Sequence, residues 1–169
     1  MRLFIAVPLP AVVIAELSAI SLRLRSNGDG LRWSAPESWH ITLQFLGNTD
    51  EEHYECVVSR LREVRLKPVP VHLEGLGTFD RTGVLFVGVT VTPELLLLQR
   101  RVTVSTEACG FVPEARAFQP HITLARSKDR RQGLCWTQGQ DAFSAAFQQV
   151  CCGRVPSLRK LPWLRRRSP

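Results

Sequence analysis

The chain has 169 residues, 44% of them hydrophobic, which suits a single domain with a real core. No stretch approaches the ~20 consecutive apolar residues of a bilayer-spanning helix, and Pro8 and Pro10 cut short the apolar run after Arg2, so neither a helical span nor a signal peptide is expected and the protein reads as cytoplasmic. The net charge of +7 points loosely towards nucleic acid, but Arg154, Arg159, Lys160, Arg165, Arg166 and Arg167 all follow Cys152 and leave the rest of the chain at only +1.

Leu3 to Val7 reads as a short buried strand. From Pro10 to about Arg25, Val13, Ile14, Leu17, Ile20 and Leu24 fall at helical spacing, with Asn27-Gly28 as a stop. Trp39 to Leu46 reads as a strand closed by Gly47. Thr49, with Glu52 three residues on, has the pattern of a capping box opening a second helix through Cys56, Val57, Leu61 and Val64, ended by Pro68 and Pro70. Val71, Leu73 and Leu76 alternate as a strand running into Gly75 and Gly77. Leu85 to Val89 repeats the opening strand 82 positions later. Thr92 caps a leucine-rich helix that ends near Cys109-Gly110. A strand around His121-Ile122-Thr123-Leu124 then follows, 81 positions after His40-Ile41-Thr42-Leu43. Arg126 to Gln140 reads as a loop and Phe143 to Val150 as a last strand. Strand, helix and strand recur at nearly one offset, so the fold class is α+β, built of two similar halves about a pseudo-two-fold axis.

Alternate side chains of a strand share a face, so His40 pairs with Thr42 and His121 with Thr123, while Ile41, Leu43, Ile122 and Leu124 turn to the core. Two imidazoles and two hydroxyls facing one cleft suit metal-free cleavage of a phosphodiester. One histidine accepts a proton from water and the other donates one to the leaving alkoxide. The threonines and Arg126 would hold the phosphate oxygens.

Other chemistries are weaker. His53 and His72 lie outside this constellation and no acidic or cysteine ligands accompany them, so no metal and no cofactor is expected. There is no GxSxG, and Ser34 and Ser38 have no marked partner. The five cysteines, Cys56, Cys109, Cys135, Cys151 and Cys152, show no CxxC spacing and read as buried free thiols.

With its two His-x-Thr-x motifs the sequence resembles the two-histidine (2H) phosphoesterase family, and within it the RNA 2′,3′-cyclic phosphodiesterases once called 2′–5′ RNA ligases. MRLFIAVPLP, RWSAPESWHITLQFLGN, LEGLGTF and GFVPEARAFQPHITLAR carry the likeness, which covers roughly residues 1–130. The resemblance implies two similar lobes with antiparallel sheets around a central cleft, and hydrolysis of an RNA 2′,3′-cyclic phosphate end to a 2′-phosphate. It makes His40 the proton donor and His121 the proton acceptor, with Thr42, Thr123 and Arg126 on the phosphate. The expected partner is RNA with such an end, with cyclic nucleotides as further substrates, no membrane, and a monomeric protein. The alternatives are 2′–5′ ligation by the reverse chemistry and a non-catalytic module binding RNA ends or nucleotides.

A single bilobal domain is expected over residues 1–150. Residues 151–169, CCGRVPSLRKLPWLRRRSP, depart from the family pattern and read as a basic, poorly ordered tail.

Overall fold

In the computed structural model, the described residues are 1–25, 30–64 and 68–128, together with the backbone of two short strands near the C-terminus. Strand β1 (Arg2–Pro8) leads into helix α1 (Ala11–Leu24), short strand β2 (Leu31–Trp33) and long strand β3 (His40–Asn48). Helix α2 (Glu51–Glu63) and strands β4 (Val69–Val71) and β5 (Leu73–Phe79) follow, then β6 (Val84–Val89), α3 (Pro93–Glu107) and β7 (His121–Ser127). The last strands are β8 (Gly153–Val155) and β9 (Leu164–Arg166). Among the described residues every pairing is antiparallel, in sheets ordered β3-β1-β9, β2-β7-β6-β5 and β4-β8. The α+β class with antiparallel sheets is therefore as expected.

One core joins the strands of both histidine motifs. Ile5, Val7, Ile41, Leu43, Val87, Val89, Ile122 and Leu124 belong to a single buried cluster, which Val13 and Leu17 of α1 and Leu95, Leu98 and Val102 of α3 complete. Each helix closes one side of it with a stripe at helical spacing. Thr92 caps α3 as expected, its hydroxyl accepting from the Leu95 N–H at 3.2 Å.

Several expectations are corrected. Asp50, not Thr49, caps α2, accepting from the His53 N–H at 2.9 Å. Thr49 is still tied to the sheet, its N–H donating to the Met1 carbonyl, so its hydroxyl turns back towards Gly47. The strand expected from Val71 divides into β4 and β5, with His72 exposed between them, and β5 runs on through Gly75 and Gly77. Arg126 and Ser127 belong to β7 rather than to a loop. Cys56 and Cys109 are not free thiols but a disulfide. The packing of α2 against α3 brings their Cα atoms to 5.9 Å, within bridging range. The tail is not wholly irregular either: β8 pairs with β4 and β9 with β1, covering strand edges that would otherwise expose unpaired backbone groups. The stop at Asn27-Gly28, the strand expected over Phe143 to Val150, the domain boundary at residue 150 and Cys135, Cys151 and Cys152 lie outside the described residues.

Candidate active site

Strands β3 and β7 carry the two histidine motifs, and each is bulged at the same place. Along β1–β3 the register runs Pro8↔His40, Ala6↔Thr42, Ile5↔Gln44 and Phe4↔Phe45, so Leu43 has no partner. Along β6–β7 it runs Gly88↔His121, Phe86↔Thr123, Leu85↔Ala125 and Val84↔Arg126, so Leu124 has none. The extra residue is the last of each HITL. A bulge interrupts the alternation of faces. In both strands two buried residues therefore adjoin, Leu43-Gln44 and Leu124-Ala125, and the next residue returns to the histidine face. That residue is Phe45 in β3 and Arg126 in β7, both exposed.

The bulge in β3 turns Gln44 into the core. Its Oε1 accepts from the buried Thr106 hydroxyl of α3 at 2.8 Å, which satisfies one end of the amide. The bulge in β7 is pinned from the other side, where the Leu124 carbonyl accepts from the Ser34 N–H at 2.8 Å.

His40, Thr42, His121 and Thr123 are all half-buried. Strands β3 and β7 are neighbours across the two sheets, and their aliphatic faces share one core, so both histidine faces turn away from it. Each imidazole is held by the backbone two residues earlier. Nδ1 of His40 donates to the Ser38 carbonyl at 2.6 Å, and Nδ1 of His121 donates to the Gln119 carbonyl at 2.8 Å. A carbonyl can only accept, so the proton sits on Nδ1 and Nε2 is the nitrogen left to exchange one.

The surroundings differ. His40 stacks on Phe4, with ring centroids 4.9 Å apart. His121 meets Phe79 edge-on at 4.9 Å and Phe86 at 5.3 Å, and those two rings stack on each other at 4.3 Å. Burial among these groups pushes the His121 pKa below its ordinary value; the Gln119 carbonyl opposes this and the Arg126 cation adds to it.

The structure thus puts His121, Thr123 and Arg126 on one face of β7, and His40 and Thr42 on one face of β3. His53 lies apart, bonded to Asp50. Among the described residues no three His, Cys, Asp or Glu side chains converge as a metal site. No helix among them is long and apolar enough to cross a membrane. Phe4, Phe79 and Phe86 were not found from the sequence, although Gly77 in a strand is a trace of them. A Cβ there would lie 2.5 Å from the Phe86 ring, so the glycine makes room for it.

Residues 10–152 match the 2′-5′ RNA ligase superfamily. The chain belongs to this family. An RNA 2′,3′-cyclic phosphodiesterase of Archaeoglobus fulgidus is 34% identical over 131 residues, covering 76% of this chain and 73% of the relative. One from Thermotoga maritima is 35% identical over 133 residues, covering 76% and 71%. Among solved structures, E. coli LigT complexed with 3′-AMP superposes with a TM-score of 0.66 at 26% identity, covering 76% of this chain and 74% of LigT. The superfamily match takes in both histidine strands and the bulges that shape them.

Proposed function

We propose that this chain hydrolyses RNA 2′,3′-cyclic phosphate ends to 2′-phosphates, with His121 as base and His40 as acid and without a metal ion. The observation that carries this is the doubled motif: an imidazole fixed through Nδ1 and a threonine hydroxyl on the same face, in each of two strands bulged at the last residue of HITL. The curated relatives, named RNA 2′,3′-cyclic phosphodiesterases, supply the substrate class.

Nε2 of His121, whose lowered pKa favours the neutral ring, takes a proton from water as the oxygen attacks phosphorus. The bond from phosphorus to the ribose 3′ oxygen breaks, and Nε2–H of a doubly protonated His40 gives that oxygen a proton. The products are a 2′-phosphate and a 3′-hydroxyl, and each proton transfer is worth roughly 10²–10⁴ in rate. Thr42 and Thr123 donate to the nonbridging oxygens, and Arg126 balances the charge that builds there. The lowered His121 pKa supports this direction of roles, which the symmetry of the sequence left open.

The test is an oligoribonucleotide with a 2′,3′-cyclic phosphate, incubated with the protein in EDTA. A 2′-phosphate should form, and His40→Ala and His121→Ala should each lose nearly all turnover. Dependence on added zinc, or survival of turnover in either variant, would overturn the mechanism. The superfamily's name favours one second reading, ligation, in which a 5′-hydroxyl replaces water and a 2′–5′ bond forms. Adding a 5′-hydroxyl oligomer to the same assay separates the two by product.

A further inference from the structure

Strand β2 was not expected from the sequence, and it places a second arginine beside the site. In the β2–β7 register Arg32 lies directly opposite Arg126, with Leu31 opposite Ser127 and Trp33 opposite Ala125. Residues directly opposite in an antiparallel pair point to the same face. The bulge at Leu124 has already turned Arg126 to the side of Thr123 and His121, so Arg32 faces that side too, and it is exposed. The Ser34 N–H that pins the bulge is two residues from Arg32, so one loop fixes both features.

Like charges directly opposite each other destabilise a sheet. An anion between or beside two guanidinium groups reverses that, because each can bind a phosphate through paired N–H donors. Arg126 stands between Thr123, which faces the reacting phosphate, and Arg32, one strand further out by about 4.8 Å. An RNA ending in a cyclic phosphate offers one other anion close by, the phosphodiester on the 5′ side of its last nucleotide. A cyclic mononucleotide has none. The matching position in the other half holds Phe45, 47% exposed, where β7 has Arg126. On the β7 side the site is thus flanked by two cations in line, Arg126 and, across on β2, Arg32.

Resting on the activity proposed above, we propose that Arg32, together with Arg126, binds the penultimate phosphate and makes the protein prefer oligoribonucleotides to cyclic mononucleotides. Arg32 is a specificity residue in this role, contacting the chain beyond the reacting atoms.

The experiment compares kcat/KM for cytidine 2′,3′-cyclic phosphate with that for an oligoribonucleotide ending in the same nucleotide. Arg32→Gln should lower the ratio of oligomer to mononucleotide about tenfold, chiefly through KM, as loss of one exposed charge-assisted contact implies. The slope of log kcat/KM against log salt on the oligomer should flatten by about 1, and Arg32→Lys should keep most of that slope. Equal losses on both substrates, or an unchanged ratio and slope, would overturn the assignment. Binding of the product oligomer, ending in a 2′-phosphate, is measured alongside by fluorescence anisotropy. It reports on Arg32 even where the wild type turns over neither cyclic phosphate, a result that would sink the proposed activity alone. A salt slope of that binding left unchanged in Arg32→Gln would again overturn the subsite.

Discussion

His121 donates its Nδ1 proton to the carbonyl of Gln119, 2.8 Å away and two residues earlier in the chain. His40 makes the same bond to Ser38 at 2.6 Å, 81 positions upstream. In each case the chain's own entry into the strand selects the tautomer, and no separate carboxylate is needed to orient the ring. The shared device makes the two imidazoles alike in geometry. They differ in aromatic packing: His40 stacks on Phe4, whereas His121 meets both Phe79 and Phe86.

The first prediction concerns protons. Burial, countered by Gln119 and reinforced by Arg126, holds His121 below the ordinary value of 6.5. A base works when neutral, so the acidic limb of kcat/KM should fall below the pH expected for a free histidine. Removing the cation in Arg126→Gln should raise the His121 pKa and move that limb to higher pH. The linked stability has a definite sign. A histidine with a depressed folded pKa favours the folded state above its unfolded pKa, and that contribution is lost as pH falls through the folded value. Imidazole proton NMR of the free protein checks this directly. A His121 that titrates above an ordinary histidine, or a lower value in Arg126→Gln, would contradict it.

How much of this was legible in the sequence differs residue by residue. HITL twice over located β3 and β7 and separated His40, Thr42, His121 and Thr123 from the aliphatic face, because period-two alternation is a local property. The same rule would have put Arg126 on the face opposite His121. It sits on the same face only because Leu124 is bulged, and Leu124-Ala125 reads like any strand dipeptide. Strand β2 has three residues, too few for a period, so Arg32 carried no signal. Phe4, Phe79 and Phe86 meet the histidines through strand pairing, and registers between distant strands are not written in either strand alone. The Cys56–Cys109 pair spans 53 positions and depends on how two helices pack.

A second prediction follows from Gly77. Its missing side chain leaves space for the Phe86 ring, which a Cβ would meet at 2.5 and 2.7 Å. Gly77→Ala must push that ring towards Phe79 or His121. Overpacking of this kind costs about 1–3 kcal/mol, seen as a lower Tm. A displaced base can also cost up to ~10²-fold in turnover, so kcat should fall while the KM changes little. Gly77→Ala with Phe86→Leu should regain stability relative to Gly77→Ala alone, since the smaller side chain gives way. Wild-type Tm and kcat in Gly77→Ala would show that Phe86 is not held as described.

The third prediction tests the disulfide. Cys109 is buried just beyond α3 and Cys56 lies half-buried on α2, so the bridge ties the two helices that pack side by side. Closing a loop of 53 positions restricts the unfolded chain by ~4 kcal/mol on a chain-entropy basis. Peptide mapping of protein purified without reductant should recover the Cys56–Cys109 cross-link, and Cys56→Ser should lower Tm by several degrees under those conditions. Disulfides are rare in a reducing cytosol, so this pairing and the cytoplasmic expectation pull in opposite directions. Under a strong reductant the wild type should fall to the Tm of Cys56→Ser, with the histidines' chemistry intact, since both cysteines pack with the core and the histidine faces turn away from it. Absence of the cross-link in unreduced protein would remove the bridge and leave two packed thiols, as the sequence first suggested.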